Sequence, residues 1–111
     1  MVEYELAVCY GIIVAPEKVE EMRDSLTDYE SDEFVDRYSR CINDWVGGDW
    51  FIGIIKDLPE TITDSVYHVS DLSAPADDSE DLIQFKQFFD KNNLWRFIDW
   101  QPELLLINFC Y

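Results

Sequence analysis

The stretch RCINDWVGGDWFIGII, residues 40–55, decides the architecture. Two β-prone runs flank Gly47-Gly48, and glycines at both central positions accept the positive φ of a tight type I′ turn. The stretch therefore reads as a hairpin. Placed at the middle of a chain of 111 residues, it leaves room for one further unit on either side.

Upstream, EYELAVCYGIIV (3–14) alternates and then becomes continuously apolar, the pattern of a well-buried strand. Tyr4, Leu6, Val8, Tyr10 and Ile12 share one face. Ala7, Cys9 and Gly11 line the other, where their small size lets a packed layer approach closely. Ala15-Pro16 then opens a helix, because proline is tolerated at the first helical position and Glu17 suits the positive end of the dipole. Val19, Met22, Leu26 and Tyr29 recur at helical spacing as one apolar stripe. Ser31 is placed to cap a second helical stretch over 32–38, with Phe34, Val35 and Tyr38 facing inward.

Downstream, residues 57–81 form a polar connection containing Pro59 and Pro75, with at most a short helix or strand around 62–69. Connections of this length without structure of their own are often functional. Asp77-Asp78-Ser79 start a helix whose stripe is Leu82, Phe85, Phe88 and Phe89 and which ends near Asn92-Asn93. ELLLINFCY (103–111) reads as a strand after Pro102.

The order is β-α-β-β-α-β in one domain, residues 1–111. That is the α+β, split βαβ or ferredoxin-like arrangement, an antiparallel sheet with two helices on one face. In that topology the last strand is an edge, yet Leu104 to Phe109 leave both its faces apolar. Either residues 94–101 fold over it or it pairs with a second copy of the chain.

Composition bounds the function. The chain has 24 Asp and Glu against 8 Lys and Arg, a net charge of −16, while 48% apolar and 15% aromatic residues exclude simple acidic disorder. The N-terminus lacks the basic region of a signal peptide, no apolar run is long enough to span a bilayer, and an acidic surface is repelled by anionic headgroups. Cys9, Cys41 and Cys110 are odd in number and lack C-x-x-C spacing, as expected of reduced thiols in a cytoplasmic protein.

No catalytic constellation emerges. The one histidine is His68, and no phosphate-binding loop or nucleophile elbow is present. Asp77-Asp78-Ser79-Glu80-Asp81 offers oxygen ligands without the spacing or turn glycine of a calcium loop, so helix capping explains it better than a metal. The sequence predicts no enzyme activity, no cofactor and no metal site. Direct binding to nucleic acid is also excluded, since that affinity rests on Lys and Arg displacing counterions.

The charge itself is clustered. Residues 16–36 carry nine acids and two bases, and residues 57–81 carry eight acids and no base. Carboxylates three or four residues apart on a helix lie about 5–6 Å apart, close to the spacing of phosphates along a nucleic-acid strand. In size and charge the chain is similar to two groups of acidic inhibitors. One is the phage nucleic-acid mimics that act in anti-defence, and the other is the immunity proteins that cap nucleases. The likeness is compositional and transfers no residue.

The resulting expectation is a protein that occludes a basic partner, a nucleic-acid-processing enzyme, without contacting nucleic acid or membrane. Its partner-binding residues are Glu17, Glu20, Glu21, Asp24, Asp28, Asp71, Asp77, Asp78 and Asp81. Trp45, Trp95 and Trp100, at element ends, are the candidate anchors. The alternative is an acidic assembly subunit that dimerises through its last strand, with charge serving solubility alone.

Overall fold

The computed structural model describes residues 4–57 and 73–110. The central part of the expected connection, including the element anticipated around 62–69 and residues His68 and Asp71, lies outside them. The described chain runs through β1 (Tyr4–Val14), α1 (Pro16–Asp24), α2 (Asp28–Glu33), a π-helical turn (Phe34–Tyr38), β2 (Ser39–Cys41) and β3 (Trp50–Asp57). It continues through α3 (Glu80–Lys91), a 3-10 turn (Leu94–Phe97) and β4 (Glu103–Cys110). It is an α+β protein. Its sheet has the order β2-β3-β1-β4 with every neighbouring pair antiparallel.

Three α-helices form, and the second helical stretch, expected over 32–38, is taken up by α2 and the π-helical turn. α1 stops at Asp24, and α2 starts at Thr27, whose side chain and that of Glu30 make a reciprocal capping box. Ser31 therefore lies inside α2 instead of capping it. Tyr29 drops out of the apolar stripe and is 79% exposed. The remaining stripe residues behave as their spacing implies. Val19 and Met22 are buried, as are Phe34 and Tyr38 and the α3 set Leu82, Phe85, Phe88 and Phe89. These pack against Tyr10, Ile12, Val14, Trp50, Ile52 and Ile54 of the central strands. α3 ends at Lys91 with Asn92 as its cap, followed by Asn93 in the left-handed conformation that closes many helices.

The hairpin differs from the expectation. β2 has only three residues, paired as Ser39↔Ile52 to Cys41↔Trp50, and residues 42–49 form a longer connection. Gly47 takes a positive φ of 61° while Gly48 does not, so the two-residue type I′ turn is absent. The reason is long-range. Asn43 bridges in parallel to Cys110, with the Cys110 N–H donating to the Ile42 carbonyl and the Asp44 N–H to the Cys110 carbonyl. The chain leaving β2, at one edge of the sheet, thus meets the end of β4 at the other.

This meeting requires the sheet to curl. Gly11 and Gly53 face each other across β1 and β3 with the Phe51 ring against both. A Cβ on Gly11 would fall on the Ile52 carbonyl oxygen and the Gly53 Cα, so only paired glycines allow this bend. The face turned away from the helices thereby buries Ala7, Cys9, Phe51, Ile107 and Phe109. Arg40 completes it, its guanidinium 4.4 Å above the Phe109 ring and 2.6 Å from the Glu5 carboxylate. The small residues of that β1 face do admit a close layer. Residues 94–101 pack on the helix-covered face, with Trp100 against Tyr10, and on that same face of β4 Leu104 and Leu106 are still 38% and 53% exposed.

Candidate functional site

α1 is amphipathic, and its inward side is set by Val19 and Met22. That orientation leaves Glu17, Glu20, Glu21 and Asp24 exposed on the outer face. The break at residues 25–27 turns the chain so that Asp28, at the start of α2, lies beside the end of α1. Glu20, Asp24 and Asp28 then line one open groove of about 520 Å³ together with Arg23, Leu26 and Ser31.

The bases in this region do little to neutralise it. Lys18 pairs with Glu21 at 3.2 Å. Arg23 donates through Nε to the Ser31 hydroxyl at 3.1 Å and forms no ion pair among the described residues. Three ion pairs occur among the described residues, and none of them engages Glu17, Glu20, Asp24 or Asp28. The groove is a concentrated negative surface.

Within α2, the Glu30 carboxylate accepts from the Thr27 hydroxyl at 2.8 Å and from the Thr27 N–H at 3.2 Å. These bonds hold Glu30 below the ordinary carboxylate range, and Lys91 lowers it further. The carboxylate form of Glu30 is thereby favoured by the cap that it helps to make.

The second acidic group sits elsewhere. Ser79 caps α3 by accepting from the Leu82 N–H at 3.2 Å. Asp77 and Asp78 precede it, and Asp81 lies in the first turn, all three exposed. Asp81 shares a smaller groove with Arg37, Tyr38 and Gln84, where Arg37 donates to Gln84 at 2.8 Å and pairs with Glu33 at 3.4 Å. Burial, more than its neighbours' charges, pushes the Tyr38 hydroxyl up. Lys91, close enough to influence Glu30, is at the far end of α3, a helix about 18 Å long. The acids ahead of α3 are thus a separate cluster from those of α1 and α2, and a base already attends them.

The three tryptophans divide in the same way. Trp45 is 61% exposed on the 42–49 connection, next to Val46 at 75%, and its backbone N–H donates to the Asn43 side-chain oxygen at 3.0 Å. Trp95 and Trp100 are half-buried. Their ring centroids lie 4.8 Å from Phe89 and 4.9 Å from Phe85, and the Trp95 indole N–H donates to Asp90 at 2.6 Å. Both serve the aromatic core, leaving Trp45 as the exposed one of the three. Tyr29, which the helical stripe assigns inward, is 79% exposed, and Tyr4 and Leu106 are further exposed apolar groups at 68% and 53%.

The described residues gather no group of three or more His, Cys, Asp or Glu side chains able to hold a metal ion. No helix among them is long and apolar enough to cross a membrane. All three cysteines are free. Burial pushes the Cys9 thiol up to about 12, and burial followed by a hydrogen bond with Asp44 raises Cys41. Neither thiol is an activated nucleophile. Compared with known protein families, curated proteins and solved structures, the chain matches no family model, no protein and no structure.

Proposed function

We propose that this protein binds and occludes a basic protein surface, one built to hold nucleic acid, and that the groove between α1 and α2 is its contact face. The observation that carries this reading is the convergence of Glu20, Asp24 and Asp28 on one groove whose only arginine is turned to a serine. Such density costs the folded chain self-repulsion, which a cationic partner relieves. At −16 over 7283 Å² the surface carries about one net negative charge per 450 Å². Helical carboxylates at ~5–6 Å intervals offer a groove made for phosphates a similar ladder of anions.

Long-range attraction brings the partner in, and an apolar anchor holds it. Trp45 with Val46 is that anchor, a projecting pair on a turn. The scaffold is read as the split βαβ, ferredoxin-like arrangement. The order β2-β3-β1-β4, antiparallel throughout, supports it, with α1 and α3 joining strands that are not neighbours. The reading is of a non-catalytic protein acting in the cytoplasm, of the anti-defence or immunity kind.

The test is capture from a native lysate followed by elution with duplex DNA or structured RNA. Basic nucleic-acid-binding proteins should be retained and then displaced by the polyanion. Retention indifferent to either competitor, or no retained basic protein, rejects the proposal.

A further inference from the structure

Among the described residues no strand lies along the outer edge of β4 beyond the Asn43 bridge, and the geometry of that edge is specific. β4 pairs with β1 without interruption, Tyr4↔Cys110 through Gly11↔Glu103. At Cys110 the N–H and the carbonyl both bond to the 42–44 segment, so they point away from β1. Backbone direction alternates along an antiparallel strand. The N–H and C=O groups of Leu104, Leu106 and Asn108 therefore also point outward, with no partner among the described residues.

The side chains of this window are equally unguarded. Leu104 is 38% exposed and Leu106 53%, and on β1 behind them Leu6 is 38% and Tyr4 68% exposed. Natural edges are usually blunted by lysine, proline, a bulge or an inward charge. Residues 104–108, LLLIN, contain none of these. Pro102 closes the window at one end and the Asn43 bridge closes it at the other.

We propose that this window is a self-association surface, in which two copies pair β4 to β4 antiparallel about an axis at Leu106. A second copy fits because the window is its own complement. With Leu106 opposite Leu106, Leu104 falls opposite Asn108, and every outward group of both strands is used in about six hydrogen bonds. A shift by one residue turns the paired groups away from each other. The exposed Leu106 side chains then meet across the axis, with Leu104 diagonal to them. The window carries no ionisable residue, so it is where two chains of charge −16 approach with least opposition.

This proposal is independent of the acidic-groove reading, and salt separates them. Like-charged copies repel at long range and salt screens that repulsion, so self-association strengthens with salt while capture of a basic partner weakens. The experiment is sedimentation of the full chain from low to high micromolar concentration at low and high salt, with amide exchange at both concentration limits. A dimer favoured by salt is expected. The amides of Leu104, Leu106 and Asn108 should become protected on dimerisation, whereas those of Leu105 and Ile107, already turned to β1, stay protected throughout. Leu106→Lys, at an exposed position, should weaken association at least tenfold and leave the circular dichroism melt unchanged. Leu104→Lys should act likewise. A monomer at high micromolar concentration and high salt overturns the proposal. So does a dimer that salt dissociates, or one that forms without protecting the three amides.

Discussion

The two faces of the sheet bury apolar side chains by different means. On one, α1 contributes Val19 and Met22 while α3 and the π-helical turn add phenylalanines over Ile52 and Ile54, and Phe85 alone packs on Phe89, Trp100, Tyr38 and Trp95 at 4.4–6.0 Å. On the other, the sheet curls over its own small residues and a single arginine closes the end. Helices have an outer side that can carry charge, and this is where Glu20, Asp24 and Asp28 lie. β4 buries Ile107 and Phe109 in the curled face and leaves Leu104 and Leu106 exposed on its other side, so the molecule separates an acidic face from an apolar edge.

The sharpest way to break this contrast is Gly11→Ala. The added Cβ meets backbone on one side and the Phe51 ring on the other, and backbone cannot yield. Its cost should exceed the ~3–5 kcal/mol of truncating a buried phenylalanine such as Phe85→Ala. Urea denaturation compares the two. A Gly11→Ala loss well below that of Phe85→Ala would show that the curl does not depend on the glycine pair.

A smaller effect is expected from Arg40→Ala, which removes both the ring contact with Phe109 and the partner of Glu5. A cation over an aromatic face contributes about 0.5–2 kcal/mol and a part-exposed ion pair up to ~1 kcal/mol, so about 1–2 kcal/mol should be lost. Cys9 lies in the same face with its thiol pushed up to about 12 by burial, and it should be inert to thiol reagents at neutral pH.

The smallest effect belongs to the acidic side. Thr27→Ala removes the cap of α2 and should cost about 1 kcal/mol. Glu30 is held below its usual value by Thr27, so its stabilisation is present at neutral pH and fades as pH falls through the carboxylate range. The difference between wild type and Thr27→Ala should shrink over that fall. A constant difference would mean the Thr27–Glu30 pair is not coupled in solution.

How much of this was legible in the sequence follows from the range of the interactions. α3 and β4 were readable because an unbroken stripe, Leu82 to Phe89, and an unbroken apolar run specify themselves. The α1–α2 break carried a signal, the T-x-x-E spacing of Thr27 and Glu30, but the apparent stripe through Leu26 and Tyr29 outweighed it. The short β2 was not readable, since the partner of Asn43 is Cys110, distant in sequence and invisible to local pattern. Gly11 and Gly53 are each plain in the sequence, whereas their opposition depends on strand register. Exposure of the acids was predictable because they fall outside the stripes. Their sorting into a groove at α1–α2 and a separate cluster ahead of α3 was not, because it depends on where α1 ends.

The central claim is that the α1–α2 groove, and not net charge alone, recruits a basic partner. The direct measurement is the association rate of a captured partner against ionic strength, for wild type, for Glu20→Gln/Asp24→Asn/Asp28→Asn, and for Asp77→Asn/Asp78→Asn/Asp81→Asn. Both variants lose three charges. Screening over about 8 Å at physiological salt confines the effect of a carboxylate to its own neighbourhood. The first variant should associate more slowly, with a flatter salt dependence and an unchanged dissociation rate, while the second stays close to wild type. Equal slowing of the two variants, or none in either, would contradict the account.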